Sequence, residues 1–380
     1  MSFSTLGLSK PLVEAVAEQH YTKPYPIQED AIPAILRGKD VLGIARTGSG
    51  KTASFALPIL ELFHRAKPVH VKRVSVLVLV PTRELAIQVA EVFQTFAEAL
   101  THPVKTVAIY GGVSINPQMI AVHGAEIIVA TPGRLLDLVS SNALRLSDVE
   151  ILVLDEADKM LDLGFADEMN RVFDLLPTRR QTVLFSATLG DAIADINKNL
   201  LHDPVTIQID DEEQDIDLIK QLAYRVDAER KGPLLRYLIK TGNMKQVLVF
   251  VSSVRTADNV VTKLNKNGIQ AAAIHSKKTQ GARSEALSKF KAGKLTVLVA
   301  TDLMSRGIDI QFLPYVINFE LPRSPKDYIH RIGRTGRAEA SGEAISLIIP
   351  DDEHHFKIIQ KKMGKRVEML PSEAIDLSGY

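Results

Sequence analysis

Short apolar runs rich in β-branched residues recur along the chain, separated by longer stretches with helical spacing. Residues 41–45, 74–80, 106–110, 127–130, 151–154 and 182–185 show no polar alternation. They predict strands buried on both faces, as in a parallel sheet. Between them, 84–100 and 167–176 place apolar residues three and four apart, which predicts helices packed over that sheet. Strand and helix alternating in this way predict a doubly wound α/β domain. The pattern then restarts, with strands expected at 246–251, 270–274, 296–300, 315–319 and 344–349. The acidic stretch 209–217 has neither period and predicts a linker. The expected organisation is a first domain over 1–208, a linker over 209–217 and a second domain over 218–380.

Composition narrows the class. Hydrophobic residues make up 46% of the 380 and charged residues 24%, ordinary for a soluble globular protein. No apolar run approaches the ~18 residues of a membrane helix, and the opening MSFSTLGLSK is not a signal peptide. The expectation is therefore a cytoplasmic protein with no membrane contact. Cysteine is absent, which excludes disulfides and thiolate metal sites. The net charge of +1 hides an asymmetry. Residues 1–217 hold 19 Lys+Arg against 29 Asp+Glu, and residues 218–380 hold 27 against 16. A basic second half predicts a polyanionic partner on that side.

Two motifs carry the chemistry. Ala45-Arg-Thr-Gly-Ser-Gly-Lys-Thr52 follows a predicted strand and opens a predicted helix, the context a phosphate loop requires. Gly48 and Gly50 let backbone N–H groups approach phosphates, Lys51 reaches the β and γ phosphates, and the Thr52 hydroxyl suits Mg²⁺. Asp155-Glu-Ala-Asp158 ends the apolar run 151–154. Asp155 is placed to hold the same metal through water, and Glu156 to orient and deprotonate an attacking water.

With those two motifs in this order the chain resembles the DEAD-box family of RNA helicases. Other segments match the family in sequence. Pro24-Tyr-Pro-Ile-Gln28 resembles its adenine-reading Q motif, with Phe3 as the upstream aromatic. Pro81-Thr-Arg-Glu-Leu-Ala86, Gly111-Gly112, Thr131-Pro-Gly-Arg134 and Ser186-Ala-Thr188 follow. Val249-Phe-Val-Ser-Ser253, Gln280-Gly-Ala-Arg283, the run Ala300 to Asp309 and the run His330 to Arg337 complete the set. The resemblance covers about residues 3–350, and the opening and compact size look most like bacterial members of the RhlE type.

The resemblance implies two tandem RecA-like doubly wound domains. It also implies an RNA-dependent ATPase that separates short RNA duplexes or strips proteins from RNA. ATP and Mg²⁺ are the implied cofactors. Catalysis falls to Lys51, Asp155, Glu156, His330, Arg334 and Arg337, with Arg334 and Arg337 as arginine fingers. Nucleotide binding falls to Phe3, Tyr21, Gln28, Ala45, Arg46, Thr47, Gly48, Ser49, Gly50, Lys51, Thr52, Gly307 and Asp309. Gln28 is expected at the adenine edge and Tyr21 as the stacking partner. RNA contacts are expected from Thr82, Arg83, Gly112, Thr131 and Arg134, and from Ser252, Gln280, Arg283, Thr301 and Asp302. These residue types bind phosphates and 2′-hydroxyls and read no sequence. Asp158, Ser186 and Thr188 would link nucleotide state to RNA grip, with His330 and Arg331 bridging to the first domain's acids. Thr52 and Asp155 would hold the metal. A monomer is implied, with protein partners in RNA decay or ribosome assembly.

Some positions depart from the family pattern. His20 and Tyr25 stand where the Q motif has Gly and Thr, Ser276 where a Gly is common, and Leu303-Met304-Ser305 where small apolar residues are usual. None removes a catalytic group. The same motifs suit an ATP-gated RNA clamp that holds a complex together as a scaffold with little unwinding, and a turnover assay with RNA separates the two. A DNA helicase is disfavoured by the Q motif beside Asp-Glu-Ala-Asp. A small-molecule kinase would not need a second domain with arginine fingers.

Overall fold

The computed structural model describes residues 2–45, 49–66, 73–209, 219–301, 313–335 and 342–380. The chain divides into two compact units, Met1–Asp211 and Glu212–Tyr380. In the first, seven parallel strands form one sheet: β1 Val41–Ile44, β2 Val76–Leu79, β3 Thr106–Ile109, β4 Ile127–Ala130, β5 Ile151–Leu154, β6 Gln181–Ser186 and β7 Val205–Gln208. Their spatial order is β3-β4-β2-β5-β6-β1-β7. Alternate residues of each strand enter opposite cores. Val76 and Val78 pack with the helices Lys51–Arg65 and Arg83–Ala97 on one face, and Leu77 and Leu79 pack against Leu135, Leu138 and Met160 on the other. Burial on both faces is why these strands read as unbroken apolar runs.

The second unit repeats the plan. Its strands are β8 Lys220–Arg225, β9 Val247–Val251, β10 Ala271–Ile274, β11 Val297–Thr301, β12 Tyr315–Asn318, β13 Glu343–Ile348 and β14 Glu368–Pro371, all paired in parallel. Their order is β10-β11-β9-β12-β13-β8-β14. Counting strands from each unit's start, the two orders are the same, although no sequence repeat announces it.

Three strands escape the apolar-run reading: β7, β8 and β14. Their burial alternates or is partial, with Ile207 buried between exposed neighbours and Gln221 and Ala223 buried among less buried ones. β7 and β14 lie at sheet edges, where one side of the ladder needs no apolar cover. Among the described residues no helix is long and apolar enough to cross a membrane.

Candidate functional site

Every described site residue of the first sheet lies at or just beyond the carboxyl end of a strand or in the flanking Q segment, where ligands of open α/β sheets bind. The strand order sorts them into two groups. Thr82 and Arg83 follow β2, Gly112 follows β3, and Thr131 and Arg134 follow β4, the three neighbouring strands at one side. Asp155 and Glu156 follow β5, Ser186 and Thr188 lie at the end of β6, and Ala45 to Thr52 follow β1, the next three strands.

The second group is knit together by hydrogen bonds. Gly50 adopts φ +86 as it caps the helix Lys51–Arg65. Lys51, only 5% exposed, donates from Nζ to the Ala45 carbonyl at 2.9 Å. The Ala45 N–H donates to the Ser186 carbonyl at 3.0 Å. Ser186 Oγ accepts from the Thr188 N–H at 3.2 Å, and Thr188 Oγ1 donates to Asp158 Oδ2 at 3.1 Å. The phosphate loop, the end of β6 and the acid segment after β5 therefore form one connected frame. Thr52 and Ser49 are half-buried beside it.

Asp155, in the same acid segment after β5, is 2% exposed; its Oδ1 is buried with no hydrogen-bond partner. Burial pushes its carboxyl up to about 6, with Lys51 opposing the rise and Glu156 adding to it. A buried carboxylate oxygen without a donor suits a cation. No cluster of three or more His, Asp or Glu stands ready to hold one among the described residues. A hard cation that completes its shell with substrate phosphates and water fits that donor set, as Mg²⁺ does. Glu156, next in sequence, adopts φ 54 and ψ 49 at the cap of the helix Ala157–Asp162. A non-glycine residue in the left-handed region costs energy and is common at functional sites. Glu156 Oε2 accepts from Lys159 Nζ at 2.8 Å.

The adenine segment is assembled from different contacts. Gln28 is fully buried; its Oε1 accepts from the Tyr25 N–H at 2.9 Å and its Nε2 donates to the Gly50 carbonyl at 3.1 Å. The side chain expected at a base edge therefore clasps the phosphate loop to the Q segment. One hydrogen and one lone pair of the amide remain for a ligand. A methyl group at Gly50 would come within 2.5 Å of Gln28 Nε2 and 2.8 Å of the Tyr25 ring, which explains glycine there. Tyr21 packs edge-on between buried Phe3 and Phe96, with ring centroids at 6.3 and 6.0 Å. His20, standing for a family glycine, adopts φ 61, so the backbone keeps the conformation glycine would favour.

In the first group Arg83 lies directly over Gly112. Gly112 has φ +78, and a methyl group there would fall 2.1 Å from Arg83 Nη1. Thr82 caps the helix Arg83–Ala97 by accepting from the Leu85 N–H at 3.3 Å. Arg134 Nη2 donates to the Val113 carbonyl at 2.9 Å, holding the same loop from the other side. Buried Thr131 opens the helix Pro132–Ser140.

The second unit sorts its residues in the same way. Ser252 follows β9, Gln280 and Arg283 follow β10, and Thr301 ends β11. Arg283 Nη2 donates to Gln280 Oε1 at 2.7 Å, so these two act as a pair. His330 and Arg331 lie on the helix Pro325–Ile332, with Arg334 just beyond it. His330 is exposed and Arg334 half-buried. Arg331, expected in a bridging role, is held by contacts within its own unit. It is 2% exposed, and its Nη1 donates to Asn318 Oδ1 at 3.1 Å and to the Glu320 carbonyl at 2.6 Å. Its guanidinium also lies 4.9 Å from the Phe250 ring centroid. A buried guanidinium needs partners close by, and these contacts tie it to its own unit. Neither Asn318 nor Glu320 belongs to a motif that sequence alone singles out. Arg46, Thr47, Gly48, Asp302, Gly307, Asp309 and Arg337 lie outside the described residues, as do positions 210–217 of the expected linker.

Comparison with known proteins shows the family to which this fold and its motifs belong. The family model described as DEAD/DEAH box helicase matches residues 25–196, and that described as helicase conserved C-terminal domain matches residues 230–339. The ATP-dependent RNA helicase CshA of Listeria monocytogenes is 39% identical over 375 residues, 98% of this chain and 71% of that one. The chain belongs to the DEAD-box RNA helicase family. Among solved structures, S. cerevisiae Dbp5 bound to RNA and ADP BeF3 superposes with a TM-score of 0.83 at 32% identity, covering 98% of this chain and 96% of that one. A DEAD box protein from the hyperthermophile Methanococcus jannaschii is 36% identical with a TM-score of 0.55, covering 97% and 99%. As a family member with two such sheets, the chain is an ATP-hydrolysing RNA helicase with tandem RecA-like domains.

Proposed function

We propose that this chain hydrolyses ATP when RNA is bound and spends that cycle opening short duplexes or remodelling RNA–protein complexes. The observation that carries the reading is the end of β5. Asp155 with its unpaired buried oxygen and Glu156 in a left-handed cap stand in one hydrogen-bonded frame with Lys51. Lys51 neutralises β and γ phosphate oxygens, for which it exchanges the Ala45 carbonyl. Glu156 accepts a proton from the attacking water, and Lys159 Nζ, donating to its carboxylate, helps to hold it in place. Asp155 and Thr52 would hold Mg²⁺, which when bound screens phosphate charge. Arg334 and Arg337 would stabilise charge on the γ phosphate. Thr188, bonded to Asp158, connects the acid segment with the end of β6.

RNA is gripped through its backbone by the residues after β2, β3 and β4 and after β9, β10 and β11. Few aromatics are available for base stacking, at 6% of the chain with no Trp, so a stacking platform is disfavoured. That Dbp5 was captured with RNA and ADP BeF3 supports a nucleotide and an RNA strand bound at once here too. A cytoplasmic monomer belongs to the proposal. So does the RhlE-type placement, although the relatives compared bear other names. The test is ATP turnover with and without nucleic acid. Single-stranded RNA should stimulate it severalfold, and DNA of equal length should not, because the 2′-hydroxyl is part of the contact. Equal stimulation by DNA overturns the RNA assignment.

A further inference from the structure

The shared strand order makes positions in the two sheets comparable. Glu156 is the second residue after β5, and Glu320 is the second residue after β12, the corresponding strand of the second sheet. In both sheets that strand adjoins the one bearing an RNA-side loop, β2 in the first and β9 in the second. Glu320 thus sits on the seam between the two groups of functional residues in its unit.

Its contacts run both ways. Oε2 accepts from the Ser252 N–H at 2.6 Å, and Oε1 accepts from Thr256 Oγ1 at 3.4 Å. Ser253 in turn caps the helix Val254–Lys266 by accepting from the Thr256 N–H at 3.0 Å. The side chain therefore fixes the loop after β9. The Glu320 backbone faces the other group. Its carbonyl accepts from Arg331 Nη1, and its N–H shares the Phe250 carbonyl with that of Phe319, at 3.3 and 3.0 Å. Arg331 covers the Phe250 ring and also holds Asn318, whose Nδ2 donates to Ser346 Oγ at 3.3 Å. Buried Tyr328, on the same helix as Arg331, also reaches Ser346 Oγ at 3.2 Å.

We propose that Glu320 is a positioning residue. It joins the loop of Ser252 and the helix of His330 and Arg331 into one rigid piece, so that RNA contact at the loop fixes the stance of Arg334, just beyond that helix. The inference rests on the functional reading above, which assigns RNA to the first element and nucleotide to the second. The carboxylate supplies the strong link, because hydrogen bonds to an ionised acceptor are short and about twice as strong as neutral ones. The buried guanidinium supplies the stiffness, since it cannot shift without giving up acceptors that no water is there to replace. A bonded network of this kind couples two sites when both bias the same element.

The experiment uses the full chain with a single-stranded RNA oligonucleotide and a non-hydrolysable ATP analogue. In the unaltered protein the analogue should tighten RNA binding. In Glu320→Ala, half-maximal ATPase stimulation should need about tenfold more RNA, and the tightening by analogue should shrink about tenfold, one such bond at roughly 1.4 kcal/mol per decade. The KM for ATP without RNA should stay within about twofold, and kcat at saturating RNA should change less than the RNA requirement. Glu320→Gln should restore part of the coupling, because its amide can accept from Ser252 and donate to Thr256 but lacks the charge that strengthens both bonds. Unchanged coupling in Glu320→Ala overturns the proposal, as do equal losses in ATP KM, RNA requirement and melting temperature. If Glu320→Ala does not fold, Thr256→Val removes one arm of the clamp and should act in the same direction by about twofold; no change there overturns the proposal equally. An unaltered protein without RNA-stimulated turnover overturns the functional reading first.

Discussion

At the scale of single residues the end of β5 is the most informative place in the chain. Glu156 accepts a left-handed backbone that its neighbours hold in place, and that conformation sets its carboxylate beside Lys159. Glu156→Gln should keep ATP and RNA binding and slow hydrolysis by about 10²–10⁴, the usual worth of a general base. Single-turnover kinetics beside equilibrium binding check this, and near-normal turnover removes the assignment. Asp155 gives a pH signature. Its folded pKa of about 6 lies above the ordinary 3.8, so folding favours its protonated form. That stabilisation is complete below the ordinary value and is lost as pH rises through about 6. A cation at Oδ1 offsets the loss, because it favours the ionised form. The gain in melting temperature from Mg²⁺ with ATP should therefore grow between about pH 5 and 7. In Asp155→Asn the gain should be smaller and flat across that range.

Elements explain what sequence could and could not reveal. The central strands β1, β2, β4, β5 and β6 were legible to within two residues because burial on both faces leaves no polar position to blur the run. Motifs at their ends were legible for a related reason: a loop that must approach phosphates admits few residue types. What stayed hidden depends on side chains meeting in space. The inward turn of Arg331 and the bonds of Gln28 to Tyr25 and Gly50 follow from which loops adjoin, and no spacing encodes that. Glu320 is not marked by the sequence, because an acid after a strand has many uses and only the contacts distinguish it. The loop after β3 offers a test at this scale. Gly112→Ala must relieve both a positive φ and the 2.1 Å overlap with Arg83, at about 1–2 kcal/mol for the backbone alone. Arg83 should be displaced, so the RNA needed for half-maximal stimulation should rise severalfold while the KM for ATP holds. An unchanged RNA requirement would separate Arg83 from RNA binding.

For the whole molecule, charge is unevenly divided. The excess of acids in residues 1–217 and of bases in residues 218–380 places most cations available to phosphates in the second unit. RNA affinity should fall linearly on a logarithmic salt scale, with a slope of about −0.7 per phosphate contact for a single strand. Arg283→Ala should reduce that slope by nearly one contact, whatever the base sequence. A slope that does not change would take Arg283 out of direct phosphate contact.

The identical strand order has a consequence for how such a chain comes into being. In each unit the first strand lies inside the sheet, and its outer neighbour is the last strand: β7 beside β1, and β14 beside β8. During synthesis, β1 emerges from the ribosome early and has no strand partner until Gln181–Ser186 follows on one side and Val205–Gln208 on the other. Unpaired edges of this sort are templates for aggregation. The first sheet is nonetheless complete before Lys220, the start of β8, has been added. No strand of either sheet has to wait for the other, so a nascent chain can close the first unit while the second is still being translated, and each vulnerable edge is exposed in its own interval.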